Sequence, residues 1–284
     1  MLEETLEIAI EDRWKRFMGL DRIDSGIVEK RIRSFGLDSL SVERDKPQIV
    51  WLGHASFLLV WKGRRILIDP VFSTRVGIMP RRFPVPMEID RLEPDAILLS
   101  HAHMDHFDNA TLARFPDAEI YLPRGSERFL KASSRKRVSM LGENEQIGIG
   151  AISLRCVPAL HGGWRYPWQK GFHAFGYLLS DGKTTVYFAG DTAYGGHFRS
   201  LGMTHNIDIA MLPIGAYSPR WFLKSRHLNP DESIRAFHEL GAKTLIPYHF
   251  GTYRLSLEPL SEPLPWFAAA AEMQGIDWSL SICP

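Results

Sequence analysis

Three imidazoles and one carboxylate fall within a six-residue stretch of this chain: His101, His103, Asp105 and His106, in Ser100-His101-Ala102-His103-Met104-Asp105-His106. The apolar run Ala96-Ile97-Leu98-Leu99 comes directly before them. That run reads as a buried strand, and four polar side chains at its end are costly to place there without a partner. Imidazole and carboxylate together suit borderline first-row divalent ions, zinc above all, with manganese and iron also accommodated. A cation in such a cluster lowers the pKa of water and neutralises charge on an ester under attack, which is hydrolytic chemistry.

Other polar residues stand where strands should end. His161 follows Pro158-Ala159-Leu160 and precedes two glycines, Asp191 closes Phe188-Ala189-Gly190, and His249 closes Ile246-Pro247-Tyr248. His54, Asp69 and His227 hold comparable places, after strands or before a helix. Rigid elements are what a fixed metal geometry needs beneath its ligands.

The elements that must position these residues can be read from periodicity. Leu6, Ile10, Trp14, Phe17 and Met18 recur at helical spacing, so residues 1–47 are expected to be a helical N-terminal extension packing its apolar face on the main domain. Mixed charge there weighs against a lipid-facing helix. From Ile49 the texture becomes short strands, with Ile49–Leu52, Ser56–Trp61 and Arg65–Asp69 expected to form an antiparallel meander. Later strands are expected at Ala96–Leu99, Glu119–Tyr121, Ile152–Leu154, Ala174–Leu179, Thr185–Ala189, Ile209–Leu212 and Thr244–Pro247. The clearest helix runs from Pro230 to Leu240, with Asn229 as N-cap, acids in the first turn and Gly241 after the last. Residues 75–90, rich in Pro and Arg, read as a long irregular loop.

Composition limits the alternatives. Of 284 residues 45% are hydrophobic, enough for a sizeable core, and 34 basic against 33 acidic residues leave a net charge of +1. That balance argues against a nucleic-acid partner bound through a global basic field. Two cysteines, Cys156 and Cys283, make no disulfide framework and fit a reducing compartment. The N-terminus Met1-Leu2-Glu3-Glu4-Thr5 is acidic where a secretory signal is basic, and no apolar run approaches a bilayer span. The expectation is a cytoplasmic protein, with peripheral contact to the inner face of a membrane and oligomerisation left open.

Taken in order, HxHxDH, His161, Gly190-Asp191-Thr192 and His249 resemble the metallo-β-lactamase superfamily across residues 48–284. The resemblance implies an α/β (α+β) fold, a four-layer αβ/βα sandwich with a two-metal site on one edge. It implies that His101, His103 and His161 hold one ion, that Asp105, His106 and His249 hold the other, and that Asp191 bridges them with room for a shared hydroxide. Asp69 matches a position that hydrogen-bonds a ligand histidine from outside the donor set. His54, in Trp51-Leu52-Gly53-His54-Ala55-Ser56, is expected in a similar supporting place. A redox di-iron relative would carry Glu where His103 stands, so the implied site is hydrolytic.

Two further segments narrow the resemblance. Leu212-Pro213-Ile214-Gly215-Ala216-Tyr217-Ser218-Pro219-Arg220-Trp221-Phe222-Leu223-Lys224 and His227-Leu228-Asn229-Pro230-Asp231-Glu232 are similar to the branch that includes the phospholipase D hydrolysing N-acylphosphatidylethanolamine. The implied reaction is phosphodiester hydrolysis of a phospholipid, with Asp105 and Asp191 in the catalytic centre and His227 near the phosphoryl oxygens or the leaving group. The alternative is a lactonase acting on a phosphorylated sugar, because the ascorbate-6-phosphate lactonases share the Trp51–Ser56 segment. Trp164 and Tyr166, beside His161, are candidates for lining an acyl or head-group pocket, with Tyr217 as a further candidate. Arg220 and Lys224 are candidates for holding a phosphate.

Overall fold

Both faces of the central strands are apolar, and the chain uses that to build two stacked sheets with cover on the outside. The computed structural model describes residues 15–42, 44–85, 89–134, 137–166, 168 and 171–283. Its strands are β1 (Ile32–Ser34), β2 (Gln48–Trp51), β3 (Phe57–Trp61), β4 (Arg64–Ile68), β5 (Arg75–Val76), β6 (Met79–Pro80), β7 (Ala96–Leu98) and β8 (Glu119–Pro123). There follow β9 (Val138–Leu141), β10 (Gln146–Ile149), β11 (Ile152–Pro158), β12 (Phe175–Ser180), β13 (Thr185–Phe188), β14 (Ile209–Pro213), β15 (Thr244–Tyr248) and β16 (Leu280–Ile282). The helices are α1 (Ser25–Arg31), α2 (Asn109–Leu112), α3 (His197–Thr204), α4 (Arg220–Leu223), α5 (Pro230–Leu240) and α6 (Pro263–Met273).

One sheet has the order β1-β16-β2-β3-β4-β7-β8-β9 and the other β10-β11-β12-β13-β14-β15. The expected meander is present: β2 pairs antiparallel with β3, and β3 with β4. Side chains alternate faces along a strand. Ile49, Trp51, Phe57, Leu59, Ile66 and Ile68 point into the core between the sheets, with Tyr177, Phe188 and Tyr248 opposite. Val50, Leu52, Leu58, Val60 and Leu67 point the other way, against Phe107, Leu112 and Phe115. Strands buried on both faces read as continuous apolar runs, which is how they appear in the sequence. On the far side of the second sheet, α5 packs on β14 and is flanked by α3 and α6. This is a mixed α/β sandwich of the expected kind.

Helix α5 begins and ends where its caps predict. The Asn229 side chain accepts from the Glu232 backbone N–H, the Glu232 carboxylate accepts from the Asn229 N–H, and Gly241 closes the helix at φ 61°.

Of the N-terminal extension expected over residues 1–47, residues 15–42 and 44–47 are described. Leu6, Ile10 and Trp14 lie outside them. Met18 is fully buried in the core between the sheets. β1 joins the first sheet, parallel to β16, rather than continuing a helix. Just before it, the buried Arg31 guanidinium binds Glu272 at 2.8 Å and Asp277 at 2.7 Å. A strand of three residues is too short to show a period of two, so the sequence carries little sign of it. Within the expected loop at 75–90, β5 and β6 pair as an antiparallel hairpin.

Candidate metal centre

Parallel strands β4, β7, β8 and β13, β14, β15 run in common directions within their sheets. Ligands in open α/β sheets gather beyond the carboxyl ends of such strands. Here Asp69 follows β4, His101 to His106 follow β7, His161 follows β11, Asp191 follows β13 and His249 follows β15.

His101, His103 and His161 meet as a first group. His103 Nδ1 lies 2.9 Å from His101 Nε2 and 3.1 Å from His161 Nε2. Asp191 Oδ2 stands 3.8 Å from His101 Nε2 and 3.9 Å from His161 Nε2. The outer nitrogens fix which lone pair turns inward. His161 Nδ1–H donates to the Arg226 carbonyl at 2.9 Å. The Ser100 hydroxyl donates to Asp69 Oδ2 at 2.5 Å and so accepts from His101 Nδ1–H at 2.9 Å. Both Nε2 atoms then present lone pairs to the same point, as metal ligands do.

Asp105, His106 and His249 form a second group, with His54 beside them. Asp105 Oδ2 lies 3.4 Å from His106 Nε2 and 3.5 Å from His249 Nε2. Asp191 reaches this group as well, with Oδ2 at 3.2 Å from His106 Nε2 and Oδ1 at 3.2 Å from His249 Nε2. His106 Nδ1–H donates outward to Asp69 Oδ2 at 2.7 Å. His106 Nε2, His249 Nε2 and Asp191 Oδ1 are buried with no hydrogen-bond partner. Buried polar atoms are nearly always satisfied, so three orphans aimed at one another are explained by a cation among them. The donor set, imidazole with carboxylate, fits a borderline divalent ion.

Electrostatics separate the groups. Burial lowers the pKa of His101, assisted by the charge of His106, and lowers His103 to about 4. In the second group burial acts the same way on His249, but Asp191 and Asp105 outweigh it and hold the imidazole at about 9. Burial opposes the charged form of Asp191, yet His106 and His249 keep its carboxyl well below the usual carboxylate range. Protons on the second group thus balance carboxylates that a cation would otherwise neutralise.

Backbone strain collects here too. His54, Asp69, Ala216 and His249 have φ of 54°, 41°, 62° and 66°. Non-glycine residues persist in that region where the surroundings impose it, and such sites cluster at functional centres.

The candidates for substrate contact divide. His227 Nδ1 is buried without a partner, 3.8 Å from Asp191 Oδ2, and its ring is 5.1 Å from that of His161. Trp164 is exposed, one residue past Gly163, and Tyr166 stacks on Trp168 with centroids 5.4 Å apart. Lys224 is exposed at the end of α4. Two further candidates have partners within the fold. The Tyr217 hydroxyl is committed to Glu262 at 2.6 Å, so Tyr217 braces α6. Arg220 donates to Glu232 and to the His227 carbonyl, so its guanidinium ties α4 to α5.

Sequence reasoning gave no role to Ser100, Phe172 or Gly163. Ser100 links Asp69 to His101, and the Phe172 ring packs 4.8 Å from His103. A Cβ on Gly163 would sit 2.7 Å from His103 Nε2, so only glycine fits beside that ring. A hydroxyl directly before the first histidine was the available signal for Ser100; nothing local marks Phe172, which arrives from across a loop.

Known proteins match this arrangement. The family model described as a β-lactamase superfamily domain matches residues 64–250. The N-acyl-phosphatidylethanolamine-hydrolyzing phospholipase D 1 of Caenorhabditis elegans is 33% identical over 230 residues, covering 72% of this chain and 63% of that protein. A protein named as a metal-dependent hydrolase from Pyrobaculum aerophilum is 30% identical over 216 residues, 73% of this chain and 86% of that one. Among solved structures, a metallo hydrolase from Ignicoccus hospitalis superposes with a TM-score of 0.64 at 19% identity, covering 82% of this chain and 94% of its own. Several curated relatives are longer, and the chain spans 63–65% of their length. The chain belongs to the metallo-β-lactamase superfamily.

Proposed function

We propose that this chain is a metal-dependent hydrolase that holds two divalent ions, zinc by preference, and cleaves the phosphodiester of an N-acylated phosphatidylethanolamine or a close analogue. The observation that carries the reading is the meeting of two donor groups at one buried carboxylate, Asp191. The likeness to the C. elegans phospholipase D supports the substrate class.

His101, His103 and His161 would hold one ion, Asp105, His106 and His249 the other, with Asp191 shared. When bound, the two ions supply Lewis acidity and a water of lowered pKa. The chain's own residues do the rest. Asp69 fixes the His106 ring, and through Ser100 the His101 ring, so that neither swings during turnover. His227 keeps 12% of its side chain exposed beside Asp191. Burial lowers its pKa well below 6.5, so it is neutral at pH 7 and acts as a hydrogen-bonding group for a phosphoryl oxygen. Overall, water oxygen bonds to phosphorus, the P–O bond to the N-acylethanolamine breaks, and a proton ends on the departing oxygen. The products are phosphatidic acid and the free alcohol.

The surroundings suit a lipid substrate at a membrane surface. Trp164 and Trp168 are 59% and 80% exposed on the segment carrying His161, and Trp221 and Phe222 are 86% and 51% exposed on the segment leading to His227. Exposed tryptophan favours the boundary between water and acyl chains. No helix among the described residues is long and apolar enough to cross a membrane.

The test is product analysis. Zinc-loaded protein is incubated with N-acylated phosphatidylethanolamine in mixed micelles and, separately, with a sugar-phosphate lactone. Metal-dependent release of N-acylethanolamine, absent in Asp191→Asn, is expected. Lactone opening without lipid turnover would replace the phosphodiesterase reading with a lactonase one.

A further inference from the structure

We propose that His54 is a positioning residue for the second donor group, holding Asp105 by its side chain and His249 by its backbone, and so sets how tightly that group binds a divalent ion. The inference rests on the reading that the group holds such an ion.

Three independent contacts converge on this one residue. His54 Nε2 lies 2.8 Å from Asp105 Oδ2. This is the shortest of the Asp105 contacts, since His106 Nε2 and His249 Nε2 stand at 3.4 and 3.5 Å from the same oxygen, so His54 holds the carboxylate more closely than either ring it faces. The His54 carbonyl accepts the His249 backbone N–H at 3.0 Å and Trp51 Nε1–H at 2.7 Å. The start of the His249 turn is therefore pinned to His54. The His54 N–H in turn donates to Thr252 Oγ1 at 2.7 Å, and Thr252 is fully buried. The His54 ring also packs 4.0 Å from the His249 ring and 5.6 Å from that of His106.

The local geometry favours a purpose beyond packing. His54 holds φ 54°, and it sits immediately after Gly53 at φ 99°. A β-turn could be built there without placing an imidazole in the left-handed region. Its Nδ1 is buried without a partner, so burying this ring has left one polar atom unsatisfied. An apolar side chain would avoid that cost. What imidazole adds is a donor at Nε2 aimed at Asp105. Ligating carboxylates are themselves hydrogen-bonded, and loss of such partners weakens metal binding by about 10- to 100-fold.

Two substitutions separate orientation from packing and from ligation. Asn accepts the left-handed backbone, but its amide is too short to reach Asp105. Gln places an amide N–H close to where Nε2–H stood, yet that nitrogen has no lone pair for a metal. Zinc affinity is measured by competition with a chromophoric chelator, stoichiometry by elemental analysis, and ligand geometry by the visible spectrum of the cobalt(II) form. His54→Asn is expected to weaken one of the two ions about 10- to 100-fold and leave the other unchanged. His54→Gln is expected to recover most of that loss with the wild-type cobalt spectrum. Wild-type affinity in His54→Asn overturns the proposal. So does a His54→Gln protein as weak as His54→Asn with an altered spectrum, because His54 is then a ligand. Equal weakening of both ions overturns it too.

Melting in excess chelator reports whether the apo fold is intact. Should His54→Asn melt early there, Thr252→Val serves as the second variant, removing the acceptor for the His54 N–H; it too is expected to weaken one ion, and unchanged binding of both overturns the proposal. None of these readouts involves substrate. Two ions bound with no lipid turnover would refute the phosphodiesterase reading alone, whereas no ion bound by the wild type would refute both.

Discussion

The two donor groups differ in charge and in what holds them. The first is three imidazoles with a single carboxylate 3.8–3.9 Å away. Of its members only His103 is partly exposed; the His101 and His161 side chains are fully buried. It leans on Gly163 and Phe172, which pair through an antiparallel bridge. The second group is buried, has Asp105 and Asp191 within 3.2–3.5 Å of its imidazoles, and is backed by Asp69 and His54. Negative charge in a dry site attracts a cation strongly, while neutral ligands on a loop give way more easily. On the two-ion reading proposed above, the second group would hold its ion more firmly than the first.

Asp191 is the one residue that belongs to both groups, and replacing it has the largest expected effect. Asp191→Asn keeps the shape and removes the charge. Turnover should fall by about 10³-fold or more, the scale at which preorganised charge acts in such centres. Elemental analysis should find less metal in both groups. Loss from only one would show that Asp191 is not shared.

Proton linkage sharpens the contrast further. His249 sits at about 9, so it carries a proton at pH 7 in the metal-free protein. Loading the second group must expel that proton and the one that Asp191 and Asp105 hold on His106, so its affinity should rise by more than tenfold per pH unit up to pH ~9. His103 sits at about 4 and is already neutral, so the first group should bind with almost no pH dependence above pH 6. The sign for stability follows from the same raised value. A charged His249 stabilises the metal-free fold fully below pH ~6.5, and that contribution is lost as pH rises through about 9. Calorimetry in buffers of different ionisation enthalpy counts the protons released. Equal release from both groups would contradict the division.

Much of this was legible in the chain because the chemistry is concentrated at strand ends. HxHxDH follows β7 directly, and Asp191 and His249 each close an apolar run, so residue type and position coincide. Asp69 was legible for the same reason. The partners of Tyr217 and Arg220, Glu262 and Glu232, were not legible, because both lie at or on helices whose docking is tertiary. β1 and β16 pair across nearly the whole chain, a contact that no local pattern encodes. Phe172 is hidden likewise, reaching His103 only because the segment after His161 doubles back.

That doubled-back segment offers a way to disturb the first group alone. Gly163→Ala would place a methyl 2.7 Å from His103 Nε2 and 3.2 Å from its Cε1. Real side chains do not approach so closely, so either the His103 ring turns or the segment lifts. Either change moves Nδ1 from the point it shares with His101 and His161. The first ion should weaken about tenfold, near the lower end of what misplaced support costs a metal site. The second should be untouched, because none of its donors contacts Gly163. Chelator competition resolving two affinities checks this, and a shift in the tighter ion would mean that the groups are coupled through more than Asp191.

The smallest expected effect tests whether α4 contributes charge or only scaffolding. Arg220 spends its guanidinium on the Glu232 carboxylate and the His227 carbonyl. Glu232 also closes the capping box of α5, so the pair ties the His227 turn to the helix that follows. The Arg220 side chain is 29% exposed, which keeps the value of such a pair to about 1 kcal/mol. Arg220→Ala should therefore lower the melting temperature slightly, with KM for a phosphodiester nearly unchanged and kcat reduced only as far as His227 loosens. A rise in KM with kcat preserved would restore Arg220 as a phosphate ligand that leaves Glu232 when substrate arrives, and would move the substrate path toward α4.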